Sequence, residues 1–335
     1  MPDVQSGPEE QTAYLLSVVI PVYNESESLM PLSCRLAEVL ERAGLLRYEI
    51  IMVDDGSRDS SYATIRELAR ADSRVRGIRL ARNFGKEAAV AAGLQAAYGD
   101  AVVLMDADLQ HPPELIPELL ACWKAGARMV TAVRRSRDTD PALRRLVSRL
   151  FYQVFRCIAN VEIPEGAGDF RLFDRRVVQA VNSLPERNRF LKGITGWVGF
   201  TQGFVPFDPE PRAGGCSTFS FFRLLRYAVD GLTAFSVVPL RVWSLLGLGL
   251  AAGSMLYGSW LIVRTLVQGV DVPGYTSLMV SILFLSGVQL TGLGVLGEYI
   301  GRIFREVKGR PLFLVAEQTE VEQEDKICTG RGVAR

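Results

Sequence analysis

Apolar and polar positions follow two alternating rhythms over the first third of the chain. Short, mostly apolar blocks occupy residues 17–23, 48–53 and 102–106, with a more mixed one, Val-Arg-Gly-Ile-Arg-Leu, at 75–80, and each is followed by polar or acidic residues. Between them apolar residues recur at helical spacing, most clearly at Leu29, Leu32, Leu36, Val39 and Leu40, with a stop near Gly44. Continuous apolar blocks suit strands buried on both faces, and a spacing of three and four suits helices with one buried stripe. The pattern therefore predicts strand, helix, strand in repetition, with a helix over residues 85–98 and Asp59 as a helix cap. The predicted class is α/β, a mostly parallel sheet with helices on both faces.

A different pattern appears near the C-terminus. Residues 242–263 and 275–297 contain no Asp, Glu, Lys or Arg, and each is long enough to cross a hydrocarbon core of about 30 Å as a helix. The chain is thus expected to carry a two-helix transmembrane hairpin. The expected organisation is a disordered N-terminus over 1–15, a catalytic domain over 16–216, an amphipathic juxtamembrane segment over 217–241, the hairpin over 242–300 and a C-terminal tail over 301–335, polar and disordered from Glu317 onward. Residues 141–160 also alternate apolar residues with arginines, as suits a helix lying on an anionic membrane surface or packing on the sheet. Arg223, Arg226 and Arg241 precede the first span, and Arg302, Arg305, Lys308 and Arg310 follow the second. That bias predicts an inner-membrane protein with both termini cytoplasmic.

Bulk composition narrows the field. Thirty-eight Lys and Arg against 37 Asp and Glu leave a formal net charge of +1, so nothing points to a nucleic-acid partner. The five cysteines form no C-x-x-C pair, which argues against a zinc site or a disulfide framework. The acidic N-terminus lacks the basic and apolar regions of a secretory signal. The first strand runs into Pro21-Val22-Tyr23-Asn24-Glu25 with no glycine, which argues against a nicotinamide cofactor.

The candidate chemistry centres on the end of the fourth strand. Asp106 and Asp108 stand there two residues apart, with Pro112-Pro113 opening the next helix. Ligands in open α/β sheets bind at the carboxyl ends of strands, so this pair suits a hard divalent cation held against a diphosphate, or else a helix cap. Arg82 and Lys86 bracket a turn after the third strand and can meet a diphosphate or an anionic acceptor. His111, the one histidine, excludes two-histidine zinc chemistry. It is expected on a surface turn, with the metal pocket as its other placement.

Seven stretches in order resemble GT-A glycosyltransferases of family 2. They are Pro21–Glu25, Val53-Asp54-Asp55-Gly56-Ser57, residues 82–89, residues 106–110, Gly168-Asp169-Phe170-Arg171-Leu172, residues 186–191 and Trp197-Val198-Gly199-Phe200. With the hairpin they look like polyprenyl-phosphate glycosyltransferases, the group that includes bactoprenol glucosyltransferase and dolichol-phosphate mannose synthase. The resemblance implies that Pro21, Tyr23, Glu25, Asp54, Asp55, Lys86 and Asp106 bind a nucleotide sugar, with Asp54 reaching the base and Glu25 the ribose. It implies Mg2+ or Mn2+ on Asp106 and Asp108, catalytic roles for Asp108, Asp169 and Arg171, and acceptor-phosphate contacts from Arg134, Arg171 and Arg212. Asp169 stands where inverting relatives carry a base. A lipid monophosphate is already ionised, however, so Asp169 is a base, a partner of Arg171 or part of the metal shell. Thr218 replaces a lysine expected near phosphate. The implied reaction is inverting transfer of a hexose, glucose from UDP-glucose in the first instance, to undecaprenyl phosphate. A mannose, GlcNAc-type or 4-amino-4-deoxyarabinose donor would use the same parts, and a non-catalytic scaffold is the reading from another class. Relatives of this type form homotetramers, and glycines of the hairpin, among them Gly247, Gly253 and Gly292, would allow close helix approach.

Overall fold

The computed structural model describes residues 14–45, 47–135, 167–186, 191–208, 238–268 and 274–319. The first half follows the predicted alternation. Strand β1 (Leu16–Val22), helix α1 (Ser26–Arg42), β2 (Tyr48–Asp54), α2 (Ser61–Ala71), β3 (Val75–Leu80), α3 (Lys86–Ala96) and β4 (Ala101–Leu104) succeed one another, and α1 gives way to Gly44 at φ +69°. After β4 a short 3-10 turn, Pro113–Leu115, leads into α4 (Ile116–Lys124), then β5 (Met129–Arg134), β6 (Ala167–Asp174), α5 (Arg175–Ser183), α6 (Leu191–Trp197) and β7 (Gln202–Phe207). Two long helices, α7 (Val238–Gln268) and α8 (Tyr275–Val307), precede a last strand, β8 (Val315–Gln318).

The eight strands form one sheet in the order β7-β5-β6-β4-β1-β2-β3-β8. Pairings from β4 to β3 through β1 and β2 are parallel, as is β5 with β7; β6 runs antiparallel to both neighbours and β8 to β3. The chain builds β1, β2 and β3 outward in one direction, then crosses by α3 to β4 on the other side of β1. This reversal makes a switch point, where the loops after adjacent strands diverge and leave a crevice.

Both faces of the sheet are buried. Val18, Ile20, Ile50, Met52, Val103 and Phe170 face a core closed by α1, α2 and α4, while Val19, Ile51, Val53, Val102, Phe173 and Ile194 face a second core under α3, α5 and α6. Helix α3 lies so close to the sheet that a Cβ on Gly93 would collide with Val19. The alanine-rich sequence of this helix, Ala88-Ala89-Val90-Ala91-Ala92, permits the same close approach.

The polar tail proves to be part of the sheet. Residues 315–318 pair with β3, the Ala81 amide donates to the Leu314 carbonyl (2.8 Å), and Thr319 is bonded to Gly77 through its amide (2.9 Å) and its Oγ1 (2.8 Å). The expectation of disorder from residue 317 onward is therefore corrected for Glu317–Thr319. An edge strand is held by backbone hydrogen bonds, which a polar sequence supplies as well as an apolar one.

Within α7, residues Val242–Trp260 are long and apolar enough to cross a membrane by length and composition. Leu245, Leu248, Met255 and Leu256 on that helix and Leu290 and Leu293 on α8 are more than three-fifths exposed, apolar surface that water does not favour. Gly292 on α8 leaves room for Trp243 of α7, whereas added Cβ atoms at Gly247, Gly249 and Gly253 would meet nothing within 4 Å. The amphipathic segment expected over 141–160 lies outside the described residues, as does the juxtamembrane one over 217–241 as far as residue 237.

Candidate active site

Four strand ends converge on the crevice, and their loops are tied to one another. After β1, Asn24 adopts φ +54°. It donates its amide to Ser57 Oγ (2.9 Å) while its Oδ1 accepts from the Arg58 amide (2.9 Å). The Glu25 amide donates to Ser61 Oγ (2.9 Å), and the Ser26 amide to Asp59 Oδ2 (3.3 Å). Four cross-loop bonds thus join the loop after β1 to the loop after β2. Asp59 also accepts from the Ser61 amide at the start of α2 (3.0 Å), although Ser60 occupies the cap position itself. Sequence reasoning missed this zipper, whose only signal is the density of Ser, Asp and Asn on both sides.

The paired acids after β2 are turned inward. Asp54 has no exposed surface; its carboxylate accepts from the Ser57 amide (3.2 and 3.3 Å) and lies 3.6 Å from Arg79 Nε. Asp55, 3% exposed, accepts from the amides of Phe84 (2.7 Å) and Gly85 (2.9 Å) and so fixes the loop after β3. Burial raises the Asp55 carboxyl above its ordinary value, and the two amides only partly offset it. Asp54, expected to reach the base, is fully buried in the turn it stabilises. Tyr23, 42% exposed at the mouth of the crevice, offers more surface to a planar base.

The centre of the site is a lysine between two carboxylates. Lys86, the first residue of α3, places Nζ 2.6 Å from Asp106 Oδ1 and 2.6 Å from Asp169 Oδ2. The register explains this meeting: Leu104 of β4 is opposite Arg171 of β6, so continuing the antiparallel pairing two residues sets Asp106 opposite Asp169. Burial opposes the charge on Lys86, but Asp106 and then Asp169 outweigh it and hold the ammonium well above the usual lysine range. Asp108 lies alongside, its Oδ1 accepting from the Gln110 amide (3.1 Å), and Leu109 between them adopts φ +61°.

His111 is not on the surface. It is 4% exposed, with Nδ1 accepting from the Asp106 amide at 3.0 Å and its ring stacked on Phe170 (5.1 Å). Burial holds the imidazole below its ordinary pKa, against the pull of Asp106 and Asp108. Arg171 is also buried, at 3%, donating to the Gly168 carbonyl (3.1 Å) and to Thr195 Oγ1 (2.7 Å). Arg171, expected to meet the acceptor phosphate, thus joins β6 to α6. Arg134 is exposed at the end of β5, Glu25 is partly buried, and Arg212 and Thr218 lie outside the described residues.

The residues present fit a hard divalent cation. Asp106 and Asp108 supply carboxylate oxygens, and the Lys86 ammonium shows that Asp106 and Asp169 accept a cation between them. Among the described residues no group of three or more His, Cys, Asp and Glu forms a metal cage. Mg2+ and Mn2+ are commonly held by one or two carboxylates and completed by substrate phosphates.

An open sheet that gathers carboxylates and a lysine at its switch point, on a chain that carries an apolar helical hairpin, has the build of a GT-A glycosyltransferase. Residues 17–181 match glycosyl transferase family 2, and residues 238–303 match the GtrB C-terminal hairpin. The chain belongs to glycosyl transferase family 2. It is 48% identical over 302 residues to an uncharacterized glycosyltransferase from Synechocystis sp., covering 90% of this chain and 95% of that one. It is 47% identical over 300 residues to the SfII prophage-derived bactoprenol glucosyl transferase of Shigella flexneri, covering 90% and 97%. The glucosyl-3-phosphoglycerate synthase of Mycobacterium tuberculosis, solved with Mn2+, UDP and phosphoglyceric acid, superposes with a TM-score of 0.48 at 18% identity, over 66% of this chain and 76% of that one.

Proposed function

We propose that this glycosyltransferase moves a hexose, glucose from UDP-glucose in the first instance, onto undecaprenyl phosphate at the cytoplasmic face of the membrane, with inversion at the anomeric carbon. The observation that carries the reading is the Lys86, Asp106 and Asp169 cluster beside Asp108, in a chain that aligns over nine-tenths of its length with a bactoprenol glucosyl transferase. Pro21, Tyr23 and Glu25 line the nucleoside end of the crevice, with Asp54 and Asp55 stabilising its loops from within. Asp106 and Asp108 would hold Mg2+ or Mn2+, which when bound neutralises charge on the donor diphosphate.

The acceptor phosphate is already an anion near neutral pH. One of its oxygens forms the new bond to the sugar C1 as the bond from C1 to the diphosphate breaks, and the electron pair leaves with UDP. No proton need be removed from the nucleophile, so Asp169 serves to hold Lys86 beside the departing charge rather than as an obligatory base. Exposed Arg134 and the basic residues 135–156 are suited to draw an anionic lipid headgroup toward the site.

The return of β8 to β3 supports the topology. A hairpin whose two ends connect to strands of one sheet has both ends on the same side of the membrane, and the flanking arginines favour the cytoplasmic side.

The test is turnover by the purified full chain in detergent with undecaprenyl phosphate, a panel of UDP- and GDP-sugars, and Mn2+ or EDTA, beside Asp108→Ala. Transfer of one sugar, abolished by EDTA and by the substitution, is expected, and the anomeric proton coupling of the product reports inversion. Absence of both transfer and nucleotide binding across the panel would overturn the reading.

A further inference from the structure

The loop that presents Asp106 and Asp108 has an unusual support. A leucine at φ +61° lies outside the conformations L-residues prefer, and Leu109 is held there immediately after the acidic pair. Such a backbone persists only where its surroundings over-determine it. Within this loop the constraints are the Gln110 amide on Asp108 Oδ1 and the Asp106 amide on His111 Nδ1.

The imidazole is itself fixed from two other strands. Its ring lies nearly parallel to Phe170 of β6 (5.1 Å, 18°) and edge-on to Phe207 of β7 (6.2 Å, 73°), and those rings contact each other edge-on (6.3 Å). Phe170 has no exposed surface and Phe207 has 3%. Phe170 also neighbours Asp169 in sequence. The same ring is therefore connected to Asp106 by a hydrogen bond and to the strand carrying Asp169 by stacking, so it spans the two carboxylates that share Lys86.

Resting on the metal reading above, we propose that His111 is a positioning residue: its Nδ1 lone pair and its place in the Phe170–Phe207 stack set the separation of Asp106, Asp108 and Asp169 that a divalent cation and the donor diphosphate require. With Nδ1 accepting from the backbone, Nε2 carries the ring proton and neither nitrogen offers a lone pair to a metal, so His111 acts through the carboxylates rather than as a ligand.

Three substitutions in the full-length protein separate this role from plain packing. In His111→Asn the Oδ1 atom takes the place of Nδ1 and keeps the acceptor. In His111→Gln the acceptor moves outward to the place of Nε2. In His111→Phe a flat ring remains in the stack with no acceptor. The readouts are free Mn2+ measured by electron paramagnetic resonance in the presence of UDP, the thermal midpoint, and kcat and the apparent KM for Mn2+.

The expected result is Mn2+ affinity within about threefold of wild type for Asn and at least tenfold weaker for Gln and Phe, a loss of one hydrogen bond's order. The apparent KM for Mn2+ should rise in the same order, with kcat largely restored at saturating metal. Equal Mn2+ affinity in all three variants and wild type would overturn the proposal. An Asn variant as weak as Gln, with affinities that follow the thermal midpoints, would overturn it in favour of a packing role. Absence of Mn2+ binding by wild type would overturn the metal reading and this inference together, an outcome distinct from the other two.

Discussion

Replacing Lys86 by methionine should move two properties in opposite directions. Lys86 Nζ is 2.6 Å from both Asp106 and Asp169, so a cation arriving at Asp106 must compete with a built-in ammonium. Two unit charges near a protein surface interact by about 4 kcal/mol at 4 Å. The Lys86 side chain is 41% exposed, and solvent screening reduces the effective figure to about 1 kcal/mol. Removing the ammonium while keeping the length of the side chain should therefore tighten binding of Mn2+ alone about fivefold. Turnover should fall about 100-fold, the usual scale for losing one fixed donor to a developing anion. Titration of the nucleotide-free protein with Mn2+ by calorimetry gives the first number, and transfer to undecaprenyl phosphate the second. Unchanged or weaker Mn2+ binding in the Lys86→Met protein would show that the lysine and the metal do not compete for the same carboxylate.

Three further outcomes are expected from elements around the site. Asp174 caps α5 by accepting from the Arg176 amide (3.0 Å) and also accepts from Trp123 Nε1 (2.9 Å) and Arg128 (2.8 Å). Burial pushes its pKa up, but these donors together hold it below the ordinary value. A carboxyl with a depressed folded-state pKa stabilises the fold above its unfolded pKa of about 4, and that stability is lost as pH falls through the folded value. Asp174→Asn should cost about 1–2 kcal/mol in denaturant unfolding at pH 7, with the difference shrinking below about pH 4. Gly56→Ala places a Cβ 2.5 Å from the Arg82 carbonyl carbon at φ +68°; a loss of about 2 kcal/mol or more and a raised KM for the nucleotide sugar should follow. Ending the chain before Phe313 removes the bonds from Ala81 to Leu314 and between Gly77 and Thr319, about 2–4 kcal/mol of hydrogen bonding. Light scattering on heating should then show earlier aggregation from the uncovered β3 edge.

The parts legible in the sequence were those governed by side-chain pattern. Continuous apolar blocks marked β1 to β4 because both faces of those strands are covered, and the positions of Asp106 and Asp108 followed from where the fourth block ended. What the pattern concealed depends on pairing between distant segments. Asp169 meets Asp106 only through the antiparallel register of β6 on β4, and Lys86 reaches both only because α3 starts beside them. His111 looked like a turn residue because its aromatic cover comes from Phe170 and Phe207, which lie 59 and 96 residues further along the chain. Asp54 and Arg171 carry charges suggestive of ligand contacts, yet both are buried by the architecture they secure.

The closing strand also sets an order of events during synthesis. Residues 315–318 follow both long apolar helices in the chain, so the β3 edge stays open until α7 and α8 have been translated. The catalytic sheet is thereby completed only after the apolar hairpin has been made. Until then β3 presents an unpaired edge, the kind of surface that chaperones and proteases recognise.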